Sequence, residues 1–233
     1  MGNLDRADGL VMEHGHVMRG RPRGRILPRR PYDGAMPLID RTESLLVVVD
    51  TQPGFFARAE PDATAAAAAV DQAVWLATIA RLLDIPAVVT EEAPEREGAT
   101  EPRLLERLGP GVPVLTKPTF GLAECPEIVH EILQAKRSTA VLVGFETDVC
   151  VLQSAIGLKD MGFRVAVVAD ASYTQNASEH EFGLRRMAQL GIEIVHAKGV
   201  ALEWMRTVDL AIETTGAARK MGQTPHAPSP GRT

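Results

Sequence analysis

Apolar strand-like runs and longer helix-like segments alternate along the middle of the chain. Near-continuous apolar runs with many β-branched residues predict strands at 44–50, 85–92, 112–118, 139–145, 164–170 and 192–197. Such runs are typical of parallel strands that are covered on both faces. The other segments predict helices at 62–84, 149–162, 178–191 and 200–213. This succession predicts an α/β fold, a three-layer α/β/α sandwich with a mostly parallel sheet.

The two ends of the chain lack this pattern. Residues 1–36 are rich in Gly, Arg and Pro, and residues 215–233 are similarly irregular. We therefore predict a disordered N-terminal arm (1–36), one domain (37–214) and a disordered C-terminal tail (215–233). Translation from Met36 is an alternative to the arm. A basic arm could contact nucleic acid or acidic partners, although a solvated tail is the preferred interpretation.

Composition limits the classes of partner. The chain has 233 residues, 45% of them hydrophobic, which is enough for one globular domain. A net charge of −5 gives no electrostatic reason to expect nucleic acid or an anionic membrane. No apolar run reaches the length of a membrane span, and two cysteines make no disulfide framework, so we expect a soluble cytoplasmic protein.

Three reactive side chains fall where a parallel sheet places its ligands, beyond the carboxyl ends of the strands. Asp50 ends the first predicted strand, Lys117 lies at the end of the third, and Cys150 begins the helix after the fourth. Each alone has a simpler explanation: loop capping, a solvated lysine, a buried thiol. Their shared position favours a site.

These residue types suit acyl transfer. A thiol at a helix N-terminus is favoured as thiolate, and a nearby ammonium such as that of Lys117 lowers the thiol pKa further. Asp50 could take the thiol proton and return it to a departing amine. Backbone N–H groups in the turn before Cys150 could stabilise the oxyanion. The pattern therefore predicts a hydrolase with a cysteine nucleophile.

Three segments resemble the isochorismatase-like cysteine hydrolases: VVVDTQPGFF, LTKPTFGLA and GFETDVCVLQSAIGLKDMGFRVAVVADAS. The resemblance implies a mostly parallel six-stranded sheet and a catalytic triad of Asp50, Lys117 and Cys150. It also implies a cis peptide bond between Phe145 and Glu146, with the amides of Glu146 and Cys150 forming the oxyanion hole. Homo-oligomerisation is a further implication.

The resemblance also narrows the activity. Members that hydrolyse isochorismate, a vinyl ether, lack the cysteine, so Cys150 implies cleavage of a C–N bond in a small amide or carbamoyl substrate through a thioester. Metal-binding members carry histidines just after the catalytic Asp, where this chain has Gln52. We therefore expect neither a metal nor another cofactor, and we expect Gln52 to form hydrogen bonds near the catalytic acid.

Substrate contacts are expected from side chains near the same rim, although aromatic residues are more often plain core. The candidates are Gln52, Phe55, Phe56, Phe120 and Tyr173. Three other functions stay open: a scaffold or thiol redox sensor without meaningful turnover, a vinyl-ether hydrolase, and a nucleotide-binding α/β protein. The last ranks lowest because the chain has no Gly-rich phosphate loop.

Overall fold

Six parallel strands form one sheet within the residues that the computed structural model describes, 38–59 and 62–224. All five strand pairings are parallel, which confirms the predicted sheet. The strands are β1 Ser44–Val49, β2 Ala87–Glu92, β3 Val114–Lys117, β4 Thr139–Phe145, β5 Arg164–Tyr173 and β6 Glu193–Val195, in the order β3-β2-β1-β4-β5-β6.

Helices cover both faces of this sheet and make two hydrophobic cores. Side chains of β1 alternate between them: Leu46 and Val48 lie in one core, Leu45 and Val47 in the other. This alternation follows from the two-residue period of a strand and confirms the α/β/α sandwich. The helices are α1 Pro53–Ala57, α2 Ala63–Leu82, α3 Pro94–Glu97, α4 Pro102–Leu108, α5 Pro126–Gln134, α6 Leu152–Asp160, α7 Ala177–Gln189, α8 Ala197–Met205 and α9 Val208–Lys220.

Helix α2 corrects one expectation from the sequence. It has 20 residues, and an 18-residue stretch of it has a mean hydropathy of 1.3, so by length and composition alone it could cross a membrane. However, 67% of this stretch is buried inside the protein, and Trp75 and Leu76 belong to a hydrophobic core. We therefore interpret α2 as the central core helix of one face.

The predicted final helix, 200–213, is wrong in its bounds. The chain turns at Arg206, with φ of +63°, and Thr207 caps α9 by accepting a hydrogen bond from the Leu210 amide. Helix α9 then continues to Lys220 because Ala218 packs in the core. The predicted domain end at 214 is therefore too early, and 215–220 are helical. The arm at 1–36 and the end of the predicted tail, 225–233, lie outside the described residues.

The strand order fixes where a site can form. The chain builds β1, β2 and β3 outward in one direction, then crosses back to place β4, β5 and β6 on the other side. In such sheets, ligands bind beyond the carboxyl ends of the strands on either side of this reversal. Here these strands are β1 and β4, which are followed by Asp50 and by the turn that carries Cys150.

Candidate active site

Three neighbouring strands end in charged side chains that meet below the surface. Lys117 is the last residue of β3, Glu92 the last of β2, and Asp50 directly follows β1. Lys117 Nζ lies 2.7 Å from Asp50 Oδ2 and 3.2 Å from Glu92 Oε2, and it also donates to the carbonyl of Thr119. The ammonium is therefore shared between two carboxylates.

Cys150 approaches this cluster from the neighbouring strand. A π-helical turn, Thr147–Val151, follows β4 and precedes α6, and it carries the thiol. Cys150 Sγ donates a hydrogen bond to Glu92 Oε2 at 3.2 Å. The carboxylate oxygens of Asp50 and Glu92 and the sulfur all lie within 4.8 Å of one another. The structure thus brings together the three predicted residues and adds a second carboxylate.

Sequence reasoning missed Glu92, although a signal for it existed. It ends a predicted strand, as Asp50 does, and the same rule about strand ends applies to it. The register pairs Glu92 with Lys117, which directs both side chains to one place. Thus the carboxylate at the end of β2 contacts both the nucleophile and the lysine.

Gln52 holds the backbone of Glu92. Its Oε1 accepts from the Glu92 amide at 2.8 Å, and its Nε2 donates to the carbonyls of Glu92 and Gly98 at 3.1 and 2.5 Å. Gln52 is fully buried. Its side-chain amide is therefore engaged with the backbone of Glu92 and Gly98, and both its role near the catalytic acid and its substrate contact stay predictions.

Burial controls the protonation of the cluster. It raises the pKa of Asp50 to about 6, against the opposing charge of Lys117 and a hydrogen bond from Thr90. For Lys117, burial disfavours the ammonium, yet the carboxylates, Asp50 first, leave its pKa raised. A protonated lysine thus faces a carboxyl group that titrates close to neutrality.

The thiol is shifted in the direction opposite to our expectation. Burial raises the pKa of Cys150, the charges of Asp50 and Glu92 raise it further, and Lys117 opposes them. One ammonium does not offset burial together with two carboxylates. The lowered pKa that we expected for the Cys150 thiol is therefore not found, and burial with two carboxylates favours the neutral thiol instead.

The turn that carries the nucleophile is tightly enclosed. The Phe145–Glu146 peptide bond is cis, as the resemblance implies. Just before it, Gly144 has φ of +124°, and a Cβ there would overlap the carbonyl oxygen of Val49. Glycine is therefore required at this point, because any side chain would push β4 away from β1.

Helix α7 closes the other side of this turn. Gly183 packs on Asp148 so closely that a Cβ would lie 2.9 Å from the Asp148 Cα. Thr147 Oγ1 and His180 Nδ1 are 2.9 Å apart and share a hydrogen bond. These contacts fix the turn, while the predicted oxyanion role of the Glu146 and Cys150 amides stays a prediction.

The aromatic candidates occupy different environments. Phe55 belongs to a hydrophobic core, and Phe56 packs on Phe145 with ring centroids 5.8 Å apart. Tyr173 is buried and donates from its hydroxyl to Asp62 Oδ2 at 3.1 Å. The simpler reading, plain core, therefore fits Phe55 best. Phe120 differs, because it is 52% exposed and lines a cavity.

This cavity opens beside the charged cluster. It has a volume of about 450 Å³ and is lined by Glu92, residues 118–121, Glu124 and Gln153. Within the described part of the chain, no lysine or arginine lines it. Of the four residues of the cluster, Glu92 is the one that lines this cavity.

The cluster contains groups of the kind that bind metals, namely Asp50, Glu92 and Cys150. However, Lys117 Nζ already contacts both carboxylates and supplies the positive charge that a cation would bring. The residues therefore suit an internal ammonium better than a divalent ion. The expectation of a metal-independent site stays a prediction.

Comparisons with known proteins identify the family. The sequence profile of the isochorismatase domain matches residues 44–198, more than half of the chain. Isochorismatase domain-containing protein 2 of Rattus norvegicus is 30% identical over 138 residues, which cover 59% of this chain and 63% of the rat protein. Protein 2A of Mus musculus is 29% identical over 78% of this chain and 79% of its own length. The chain thus spans just under two thirds of the rat relative.

Several solved structures have the same fold as this chain. YcaC from Pseudomonas aeruginosa, with hexane-2,5-diol and covalent acrylamide, has a TM-score of 0.74 at 26% identity, over 82% of this chain and 94% of that one. MAR1 ribonuclease from Caenorhabditis elegans has a TM-score of 0.71 at 27% identity, over 84% and 98%. YcaC from Escherichia coli, an octameric hydrolase of unknown specificity, shares the fold, with a TM-score of 0.69 at 23% identity over 79% and 94%. The chain therefore belongs to the isochorismatase family.

Proposed function

We propose that this protein is a cysteine-dependent hydrolase that cleaves a C–N bond in a small amide or carbamoyl substrate. The observation that carries the proposal is the cluster itself: the Cys150 thiol lies within 4.8 Å of the Asp50 and Glu92 carboxylates, and one buried lysine contacts both acids. Such a group can move a proton to and from sulfur at the moment of attack.

Acylation begins from a neutral thiol. Asp50 takes the Cys150 proton as sulfur bonds to the carbonyl carbon, and the carbonyl electron pair moves onto oxygen. The backbone amides of Glu146 and Cys150 would hold this oxyanion. The C–N bond then breaks, Asp50 gives its proton to the departing nitrogen, and a thioester remains. A pKa of about 6 suits Asp50 to both roles near neutral pH.

During hydrolysis of the thioester, Asp50 again accepts and then returns a proton, which now comes from water and goes to the leaving sulfur. Asp50 takes a proton from water as its oxygen attacks the acyl carbon, and the sulfur leaves and recovers that proton. Lys117 stays protonated throughout and holds the Asp50 carboxylate at 2.7 Å. The products are a carboxylic or carbamic acid and ammonia or an amine.

Two comparisons bear on the substrate. The P. aeruginosa YcaC structure contains covalent acrylamide, which is itself a small amide, and this supports a site of matching size. The C. elegans relative is named a ribonuclease. RNA is a polyanion, and the cavity of this chain is lined by Glu92 and Glu124, so small amides are favoured here.

The alternatives are less well supported by the site. A redox sensor needs an exposed thiol of low pKa, whereas Cys150 is fully buried and its pKa is raised. A vinyl-ether hydrolase would not need the thiol at all, and this difference makes the two activities separable by one substitution.

The test is ammonia or amine release from a panel of primary amides and carbamoyl compounds, with RNA and a vinyl ether as further substrates. Cys150→Ala should abolish amide turnover while circular dichroism and melting temperature stay close to wild type. Cys125→Ala is the matched control, because Cys125 is also a buried free thiol but lies outside the cluster. Amide turnover that survives in Cys150→Ala, or vinyl-ether turnover alone, rejects the mechanism.

We also propose that the protein is a homo-oligomer. Trp204 of α8 is buried in its own chain, but Leu202, Val208 and Ile212 form an exposed apolar surface, the α8/α9 patch, with exposed fractions of 46%, 74% and 66%. An apolar surface of this kind is typical of subunit contacts. The octameric E. coli YcaC, which shares the fold, is consistent with assembly.

A further inference from the structure

Glu92 is the member of the charged cluster that reaches the cavity. The side chains of Asp50 and Lys117 are fully buried, whereas the side chain of Glu92 is 14% exposed and forms part of the cavity wall. The same Oε2 atom contacts Lys117 Nζ and the thiol, both at 3.2 Å. Because Glu92 Oε2 contacts the sulfur, a substrate carbonyl that is attacked by the sulfur lies close to this carboxylate.

The groups around the thiol and along the cavity wall carry a net negative charge. Two carboxylates, from Asp50 and Glu92, share one ammonium, and the thiol is neutral, so the cluster keeps one negative charge. Glu124 adds a second carboxylate to the cavity wall, and no basic side chain lines the wall within the described residues. A substrate carboxylate would thus find no cation to pair with and two like charges close by.

We propose that Glu92 sets the charge selectivity of the site: it accepts an N–H of the substrate, and the cavity takes neutral or cationic amides and carbamoyl compounds while it rejects those that carry a carboxylate. The inference rests on the proposed function for its substrates. Its physical basis is separate, because repulsion of anions by Glu92 acts on any small molecule that approaches the Cys150 sulfur.

Alkylating reagents of different charge test this without any turnover. Rates of Cys150 modification by iodoacetamide (neutral), iodoacetate (anionic) and 2-bromoethylamine (cationic) are measured by peptide mass mapping at pH 8.5. Each is divided by the rate with 2-mercaptoethanol, an uncharged free thiol. In the wild type, iodoacetate should be disfavoured by about tenfold relative to iodoacetamide, and 2-bromoethylamine should be favoured.

Substitutions then locate the effect. Glu92→Gln should return the iodoacetate-to-iodoacetamide ratio to within about twofold of the free thiol. Glu124→Gln, which removes one charge from the same wall but does not touch the cluster, should change the ratio much less. Ratios are compared because Glu92 also contacts the sulfur, and any general change in thiol reactivity cancels between reagents of one variant.

The same series is repeated with matched amides: glycinamide (cationic), acetamide (neutral) and succinamate (anionic), compared by kcat/KM. If no amide is hydrolysed but the alkylation ratios follow the prediction, the proposed function fails and the charge selectivity stands. Equal normalised rates for iodoacetate and iodoacetamide in the wild type, or a ratio that Glu92→Gln leaves unchanged, overturn the selectivity. Complete failure of all reagents and amides to reach Cys150 also overturns the selectivity.

Discussion

Lys117 Nζ and Asp50 Oδ2 are 2.7 Å apart, and neither side chain has any exposed surface. Removing two charges from water is costly, and this cost is offset only while each charge keeps its partner. Removing one partner should therefore destabilise the fold, and the proposed proton transfers depend on both.

Replacing Lys117 should therefore reduce stability as well as activity. In Lys117→Met, the shape is kept, but Asp50 and Glu92 lose their shared cation, and we expect a loss of about 3–5 kcal/mol in the free energy of unfolding. Urea denaturation measures it. Asp50→Asn combined with Lys117→Met should recover part of the stability and none of the activity. A single variant as stable as the wild type would contradict the pairing.

The rate of amide hydrolysis should depend on the Asp50 carboxylate. Because burial raises the pKa of Asp50 to about 6, kcat/KM should fall about tenfold per pH unit below this value and level off above it. Asp50→Asn should lose the activity at every pH. A wild-type profile that is flat between pH 5 and 8 argues against Asp50 as the base.

The free energy of unfolding should also depend on the protonation of Asp50, and the raised pKa fixes the direction of this dependence. The folded pKa of Asp50 is raised above the value of an unfolded aspartate, so the folded state binds the proton more tightly between about pH 4 and 6. Raising the pH through this range should therefore lower the wild type's free energy of unfolding relative to Asp50→Asn. Parallel unfolding curves at pH 4, 5, 6 and 7 measure the difference, and a constant difference is the contrary result.

Alkylation of Cys150 should be slower than that of an ordinary thiol. Since burial and two carboxylates raise its pKa, iodoacetamide labelling at pH 7 to 8 should lag behind a free cysteine peptide. Asp50→Asn removes one of the opposing charges and should accelerate labelling, while Lys117→Met should slow it further. Labelling of the wild type faster than the peptide would instead support the lowered thiol pKa that the sequence predicts.

The α8/α9 patch should control assembly. Val208→Glu combined with Ile212→Glu places two charges in the most exposed part of the patch and should shift the protein to a smaller species in light scattering after size exclusion. Leu190→Glu is the control, because Leu190 is an exposed apolar residue, at 45%, at the end of α7. An oligomer that survives the double substitution excludes this surface as the contact.

The sequence predicted the sheet and three members of the cluster because each rests on local information. Apolar runs show where strands end, and in a parallel sheet these ends lie together, so Asp50, Lys117 and Cys150 could be placed at one rim. Glu92 also ends a predicted strand and could have been placed at the same rim, but its contact with Lys117 depends on the pairing of β2 with β3.

Two further differences between the sequence-based predictions and the structure arise from burial in the folded protein. The pKa of Cys150 is decided by how completely the thiol is removed from water and by a carboxylate from another strand, and neither is visible in a helix-start pattern. Helix α9 continues past 214 because Ala218 packs in the core, although the sequence around it resembles an irregular tail.

The two glycines that enclose the nucleophile turn give a practical rule for engineering. Gly144 and Gly183 have no room for a Cβ, so mutagenesis libraries that include these positions would consist largely of misfolded clones. In the cavity wall, Phe120 and Glu124 lie outside this constraint, whereas a Cβ at Gly121 would lie 3.3 Å from the Gln153 Cβ. Directed evolution of a new substrate range should therefore vary these wall positions and leave the residues of the nucleophile turn unchanged.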